Sequence, residues 1–235
     1  IQPFGRLIPL LIMSVLMLFA VILVYFYLPE SFEKNDLNDN RKGFKLDKNN
    51  LLLISTGVLI FSSFAIVQSI TAFYIQDKFS FSILITQQKL GIALGLMALT
   101  SIAAQLSIVQ KIKVAPIKLV QWSTPFFIIG TLVVVYSPNF NIYVLGMSFI
   151  GLGMGLGTPG YTATASLNAD SKNQGAAVGF AMVAPGLGFA IGPFLGGILY
   201  EEASFLPFLT IIPVFVLVFF IASFISNNQI MKKSL

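Results

Sequence analysis

The run LVQWSTPFFIIGTLVVVYSPNFNIYVLGMSFIGLGMGLGTPGYTATASLNA, Leu119 to Ala169, holds 51 residues without one Asp, Glu, Lys or Arg. A hydrocarbon core about 30 Å thick takes roughly 20 apolar residues per helix. This run is long enough to cross a bilayer twice. It divides at Ser137-Pro138-Asn139-Phe140-Asn141, a polar turn with a proline where a helix must end.

Outward from that stretch the pattern repeats. Leu7 to Pro29, Asn49 to Gln76, Leu90 to Gln110, Asn173 to Tyr200 and Ala203 to Met231 are also uncharged, and each is long enough for one crossing. The spans read Leu7–Tyr27, Leu51–Ile75, Leu90–Val109, Leu119–Tyr136, Ile142–Leu167, Ala176–Tyr200 and Phe205–Ile225. Backbone in lipid has no water to satisfy open N–H and C=O groups, so such runs must be helical or form a closed barrel. A barrel would show segments of about ten residues alternating in polarity, and these runs do not alternate. The fold class is all-α integral membrane, with seven transmembrane helices.

Composition agrees and excludes much else. The chain is 56% hydrophobic and 10% charged, with mean hydropathy +0.88, beyond any ordinary soluble domain. The net charge of +5 has no soluble basic face to sit on, so no nucleic-acid partner is expected. Cysteine and histidine are both absent. Thiolate and imidazole metal sites, their catalysis and disulfides are therefore excluded. No cofactor, no metal and no enzymatic activity are expected.

Charge placement orients the chain. Eleven Lys and Arg fall on one side: Lys34, Arg41, Lys42, Lys45 and Lys48, then Lys111, Lys113 and Lys118, then Lys172, Lys232 and Lys233. Arg6, Lys78 and Lys89 fall on the other. Excess Lys and Arg stay in the cytoplasm, so the C-terminus is expected there. Pro29 to Asn50 carries both charge signs and five asparagines, and reads as a flexible cytoplasmic linker.

Two spans are rich in glycine and proline: Gly151 to Gly160, and Pro185 to Gly197. Glycines four apart share a helix face and let a neighbouring backbone approach. Gly151/Gly155, Gly153/Gly157, Gly188/Gly192 and Gly192/Gly196 fit. Static packing accounts for any one pair. The density, with Pro159, Pro185 and Pro193, suits helices that slide and rock.

Gly188-x-x-x-Gly192-Pro193-x-x-Gly196-Gly197 resembles the GxxxGPxxGG signature of major facilitator superfamily transporters, drug/proton antiporters above all. In that family the signature belongs to helix five, with a related pattern in helix eleven. Leu28-Pro29-Glu30-Ser31 resembles the end of helix six, Phe73 to Lys78 the end of helix seven, and Gln110 to Lys118 the loop between helices eight and nine. The resemblance implies the C-terminal half of such a carrier. Residues 1–28 would be helix six, 29–50 the central loop, 51–226 the six-helix half and 227–235 a cytoplasmic tail. The chain opens Ile1-Gln2-Pro3 without Met, and five helices are expected before it.

The same resemblance places the cavity on helices seven, eight, ten and eleven. Candidates there are Phe61, Phe64, Gln68, Thr71, Tyr74, Met154, Thr158, Tyr161, Met182 and Phe189. Phe61, Phe64, Gln68 and Thr71 follow i, i+3, i+4 spacing. Aromatic and Met side chains accept bulky lipophilic ligands by repacking. Gly188, Gly192, Pro193, Gly196 and Gly197 are the conformational motif. No assigned span contains an ionisable residue, so proton-coupling groups are expected in the first half.

The function implied is proton-coupled efflux of lipophilic small molecules across the plasma membrane by alternating access. The expected partners are a lipid bilayer, a small-molecule substrate and protons. Two other readings fit the span count. One is a complete seven-helix receptor or sensor; the other is a major facilitator carrier for uptake of another small solute.

Overall fold

The computed structural model describes residues 4–27, 48–112, 114–167 and 174–233, and every regular element among them is a helix. Seven of these helices are long and apolar enough to cross a membrane. The all-α membrane fold expected from the uncharged runs is the fold observed. The segment 29–47 and the Leu28-Pro29-Glu30-Ser31 motif lie outside the described residues.

Two units make up the chain. The first contains α1 (Phe4–Tyr27). From Leu10 to Tyr27 every side chain of this rod is exposed, as suits a helix apolar all round.

The second unit, Lys42–Leu235, holds the rest: α2 (Lys48–Phe79), α3 (Ile83–Ala104), α4 (Pro116–Tyr136), α5 (Phe140–Leu167), α6 (Gln174–Glu202), the one-turn α7 (Leu206–Leu209) and α8 (Ile211–Lys233). A π-helical turn, Gln105–Val109, extends α3. The turn at 137–139 ends α4 as its composition dictates. Ser137 is extended, and its hydroxyl donates to the Val134 carbonyl at 2.8 Å. The Asn139 side chain then accepts the Ile142 N–H at 3.1 Å and starts α5.

Helix α5 lies against α4, α3, α2 and α6, and its glycines explain how. Gly151 and Gly155 meet α3, where an added Cβ would lie 2.2 Å from the Met97 carbonyl and 2.4 Å from that of Ser101. Gly153 and Gly157 meet α4, at Phe127 and Ser123. One helix thus presents two small-residue faces, and lipid supplies no hydrophobic drive to replace them. Elsewhere α4 and α8 are tied by stacked Phe127 and Phe215 rings, 3.9 Å apart, and by Gln121 donating to Ser223 at 3.1 Å.

The helices run past the spans drawn from charge. Helix α2 continues through Asp77 and Lys78, α3 begins at Ile83 rather than Leu90, and α6 reaches Glu202. The longer helical spans take in six ionisable residues that lie just outside the spans as drawn: Asp77, Lys78, Lys89, Lys118, Glu201 and Glu202. Three of the six have local partners. The Lys78 ammonium donates to the Val135 carbonyl at 2.5 Å and to the Tyr74 hydroxyl at 3.2 Å. Lys89 sits 4.6 Å from the Phe140 ring centroid. The Tyr200 hydroxyl donates to Asp77. With such partners a charge need not end a helix.

Candidate functional site

Helix α6 meets α2 through the glycine stripe. A Cβ on Gly188 would lie 2.5 Å from Phe61 Cβ, and one on Gly192 2.6 Å from the Ser62 carbonyl. Gly196 is looser, with Ile70 at 3.2 Å, and Gly197 has open space. Pro193 is exposed. Three of the four motif glycines thus line one seam, and that close approach decides what the next residues can reach.

What they reach is a cluster of rings. Phe189, next to Gly188, has its centroid 6.5 Å from Phe61 and 6.0 Å from Phe64, the latter edge-to-face. Tyr161 of α5 stands edge-to-face on Phe61 at 5.9 Å. These spacings are those of favourable aromatic pairs. Phe61 and Tyr161 are buried, Phe64 is half-buried and Phe189 is 44% exposed. The cluster has a closed floor and an open rim. No Asp, Glu, Lys or Arg lies between Asn49 and Gln76 or between Asn173 and Tyr200. Its chemistry is therefore ring faces, which attract flat apolar groups and cations alike.

The other candidates lie apart from those rings. Thr71 and Tyr74 are buried on a different side of α2: the Tyr143 hydroxyl of α5 donates to Thr71 at 3.4 Å, and Tyr74 lies 4.7 Å from the Phe208 ring. The i, i+3, i+4 face of α2 therefore divides, its first members at the cluster and Thr71 inside the bundle. Gln68 and Met182 are exposed. Met154 and Thr158 are half-buried one turn apart on α5, with the threonine hydroxyl donating to the Met sulfur at 3.3 Å.

Sequence reasoning passed over Gly57, on which a Cβ would lie 2.5 Å from the Tyr161 ring and 2.7 Å from Ala184 Cβ. Its absent side chain makes the slot for that ring. A lone glycine amid Leu and Ile in span two was the available signal. Tyr143 was also overlooked, although its ring is fully buried.

The Major Facilitator Superfamily family model matches residues 4–183 and 113–229. The chain belongs to the major facilitator superfamily. No curated protein matches it. As a major facilitator protein it is a multi-pass membrane transporter, and its members are carriers rather than enzymes. Neither a seven-helix receptor nor a sensor is favoured by this membership. In this superfamily protein the α2–α5–α6 ring cluster is the candidate place for a solute to rest.

Proposed function

We propose that this transporter exports lipophilic, drug-like small molecules across the cell membrane by alternating access, in exchange for protons. In this reading α2 to α8 form the second six-helix half of the carrier, α1 is the helix before it, and the C-terminus is cytoplasmic. The proton-binding carboxylates then belong to the first half.

The observation that supports this best is the partly open, uncharged cluster of Phe61, Phe64 and Phe189. A polar solute such as a sugar or an amino acid needs several fixed hydrogen-bonding groups to replace its water. This wall offers ring faces instead. A ligand held by faces can vary in shape, which is what a carrier of many lipophilic compounds requires.

The test is flux in proteoliposomes loaded with ethidium or tetraphenylphosphonium, driven by an imposed pH gradient. Efflux should follow the gradient, collapse with a protonophore and fall when Phe61 or Phe189 becomes Ala. Flux indifferent to the gradient removes the proton exchange. Transport of a hydrophilic solute alone removes the lipophilic substrate class.

A further inference from the structure

Proline at 185 brings no N–H to α6, so the carbonyl four residues earlier, that of Ala181, loses its helical donor. The Ala181 residue is buried, where an unpaired carbonyl is costly. A different helix repairs the loss. The Tyr161 hydroxyl of α5 donates to the Ala181 carbonyl at 3.0 Å, in a buried setting. Gly57 of α2 leaves the slot through which the ring passes, since a Cβ there would lie 2.5 Å from two ring carbons.

The arrangement differs from the proline of α4. Pro125 deprives the Gln121 carbonyl of its donor, and the Thr124 hydroxyl of the same helix replaces it at 2.7 Å. That repair is local, and α4 keeps it wherever it moves. The repair in α6 lasts only while α5 and α6 hold their relative position.

We infer that Tyr161 is the positioning residue of a hinge at Pro185, its hydroxyl standing in for the missing backbone donor and tying α6 to α5 at that point. Phe189 lies four residues beyond Pro185, about one turn. The state of the hinge therefore sets where the Phe189 ring stands against Phe61 and Phe64. Tyr161, placed in the sequence reading among substrate contacts, has its one hydroxyl proton committed to α6 instead. That the hinge moves during transport rests on the proposed alternating-access function; the hydrogen-bond relationship stands on geometry alone.

The experiment reads the hinge, not transport. The chain has no cysteine, so G179C and I191C in the full chain give two clean spin-label sites astride Pro185 and no other proline. A helix rising 1.5 Å per residue puts them about 18 Å apart. Tyr161→Phe keeps the ring and removes the donor, and should replace one narrow distance population by a broader or shifted one. Gly57→Ala should do the same by expelling the ring. Pro185→Ala restores the N–H to Ala181, and in that background Tyr161→Phe should have no effect on the distance. Equal effects of Tyr161→Phe with and without Pro185, or none in either, overturn the inference. Distances that respond as expected in a protein without lipophilic efflux would remove the proposed function and leave the hinge standing.

Discussion

Gly130 of α4 and Gly146 of α5 touch backbone to backbone: a Cβ on either would lie 2.8 Å from the carbonyl oxygen of the other. Backbone atoms cannot yield as the end of a side chain can, even though Ile150 Cγ1 and Val134 Cγ2 also stand at 2.8 Å. Alanine at either position must push the helices apart, and forced repacking of this kind costs about 1–3 kcal/mol. Thermal unfolding of the detergent-solubilised protein should show the loss for G130A and G146A. Gly91 and Gly95 of α3 have nothing within 4 Å of an added Cβ. Alanine there should leave the melting temperature level or raise it, because glycine inside a helix costs up to about 1 kcal/mol. Equal losses at all four positions would mean that contact with the facing backbone does not set the effect.

The motif glycines should separate in the same way. Alanine at Gly188 or Gly192 meets α2 backbone within 3 Å, whereas Gly197 has open space. Gly196→Ala meets only side chains, Ile70 Cγ1 at 3.2 Å and Ile66 Cγ1 at 3.5 Å. Transport should therefore be lost for G188A and G192A, reduced for G196A and retained for G197A. Flux normalised to protein in the membrane checks the order. Retention of full transport by G188A would detach the signature from the α2–α6 seam.

How much of this was legible in the sequence follows from what each signal encodes. Apolar length is a property of single segments, so Leu119 to Ala169 yielded two helices and a turn at Ser137 to Asn141, of which the structure keeps Ser137 to Asn139 and gives Phe140 and Asn141 to α5. Glycine spacing is likewise local, and Gly151/Gly155 and Gly153/Gly157 do divide between α3 and α4. Charge was a poorer guide to helix ends, because Lys78 and Lys89 find partners on other helices. The candidate site was legible only in part. Phe61, Phe64, Tyr161 and Phe189 meet, but nothing in α2 alone says that Thr71 turns toward Tyr143. Gly57 needed its partner ring before its smallness had a meaning.

Lys78 closes the end of α4. Its ammonium donates to the carbonyls of Val134 and Val135, two of the last four of a helix ending at Tyr136. Those carbonyls lie past the last helical N–H; Val134 also accepts the Ser137 hydroxyl at 2.8 Å and Val135 the Tyr74 hydroxyl at 3.5 Å, but only the cation also meets the negative end of the helix dipole. Lys78→Met should cost about 1–2 kcal/mol, a charged hydrogen bond and a dipole contact together. Lys78→Arg should recover part of it. Chemical unfolding followed by tryptophan emission, from Trp122 alone, measures both. A Met variant as stable as the parent would show that the Ser137 and Tyr74 hydroxyls and water satisfy these carbonyls without the ammonium.

Tyr200 and Asp77 join the ends of α6 and α2, and the Phe73 ring lies 6.3 Å from that of Tyr200. Both partners are near solvent, so the bond should be modest, about 1 kcal/mol. A double-mutant cycle of Tyr200→Phe and Asp77→Asn isolates it. The two losses should not add, since either change alone removes or weakens the same contact. Strict additivity would mean that the Tyr200 hydroxyl and the Asp77 carboxylate act independently of each other.

Phe189 gives the sharpest test of the ring cluster as a binding wall, because it is the member most open to a ligand. Removing one aromatic face from a site for a lipophilic cation should cost about 1 kcal/mol, or roughly fivefold in Kd. The comparison that matters is Phe194→Ala. Phe194 is on the same helix and is 69% exposed, more than Phe189, yet takes no part in the cluster. Equilibrium binding of radiolabelled tetraphenylphosphonium should weaken for F189A and stay level for F194A. If both weaken alike, the ligand is reading the apolar surface of α6 as a whole, and the rings of Phe61, Phe64 and Phe189 confer no selectivity of their own.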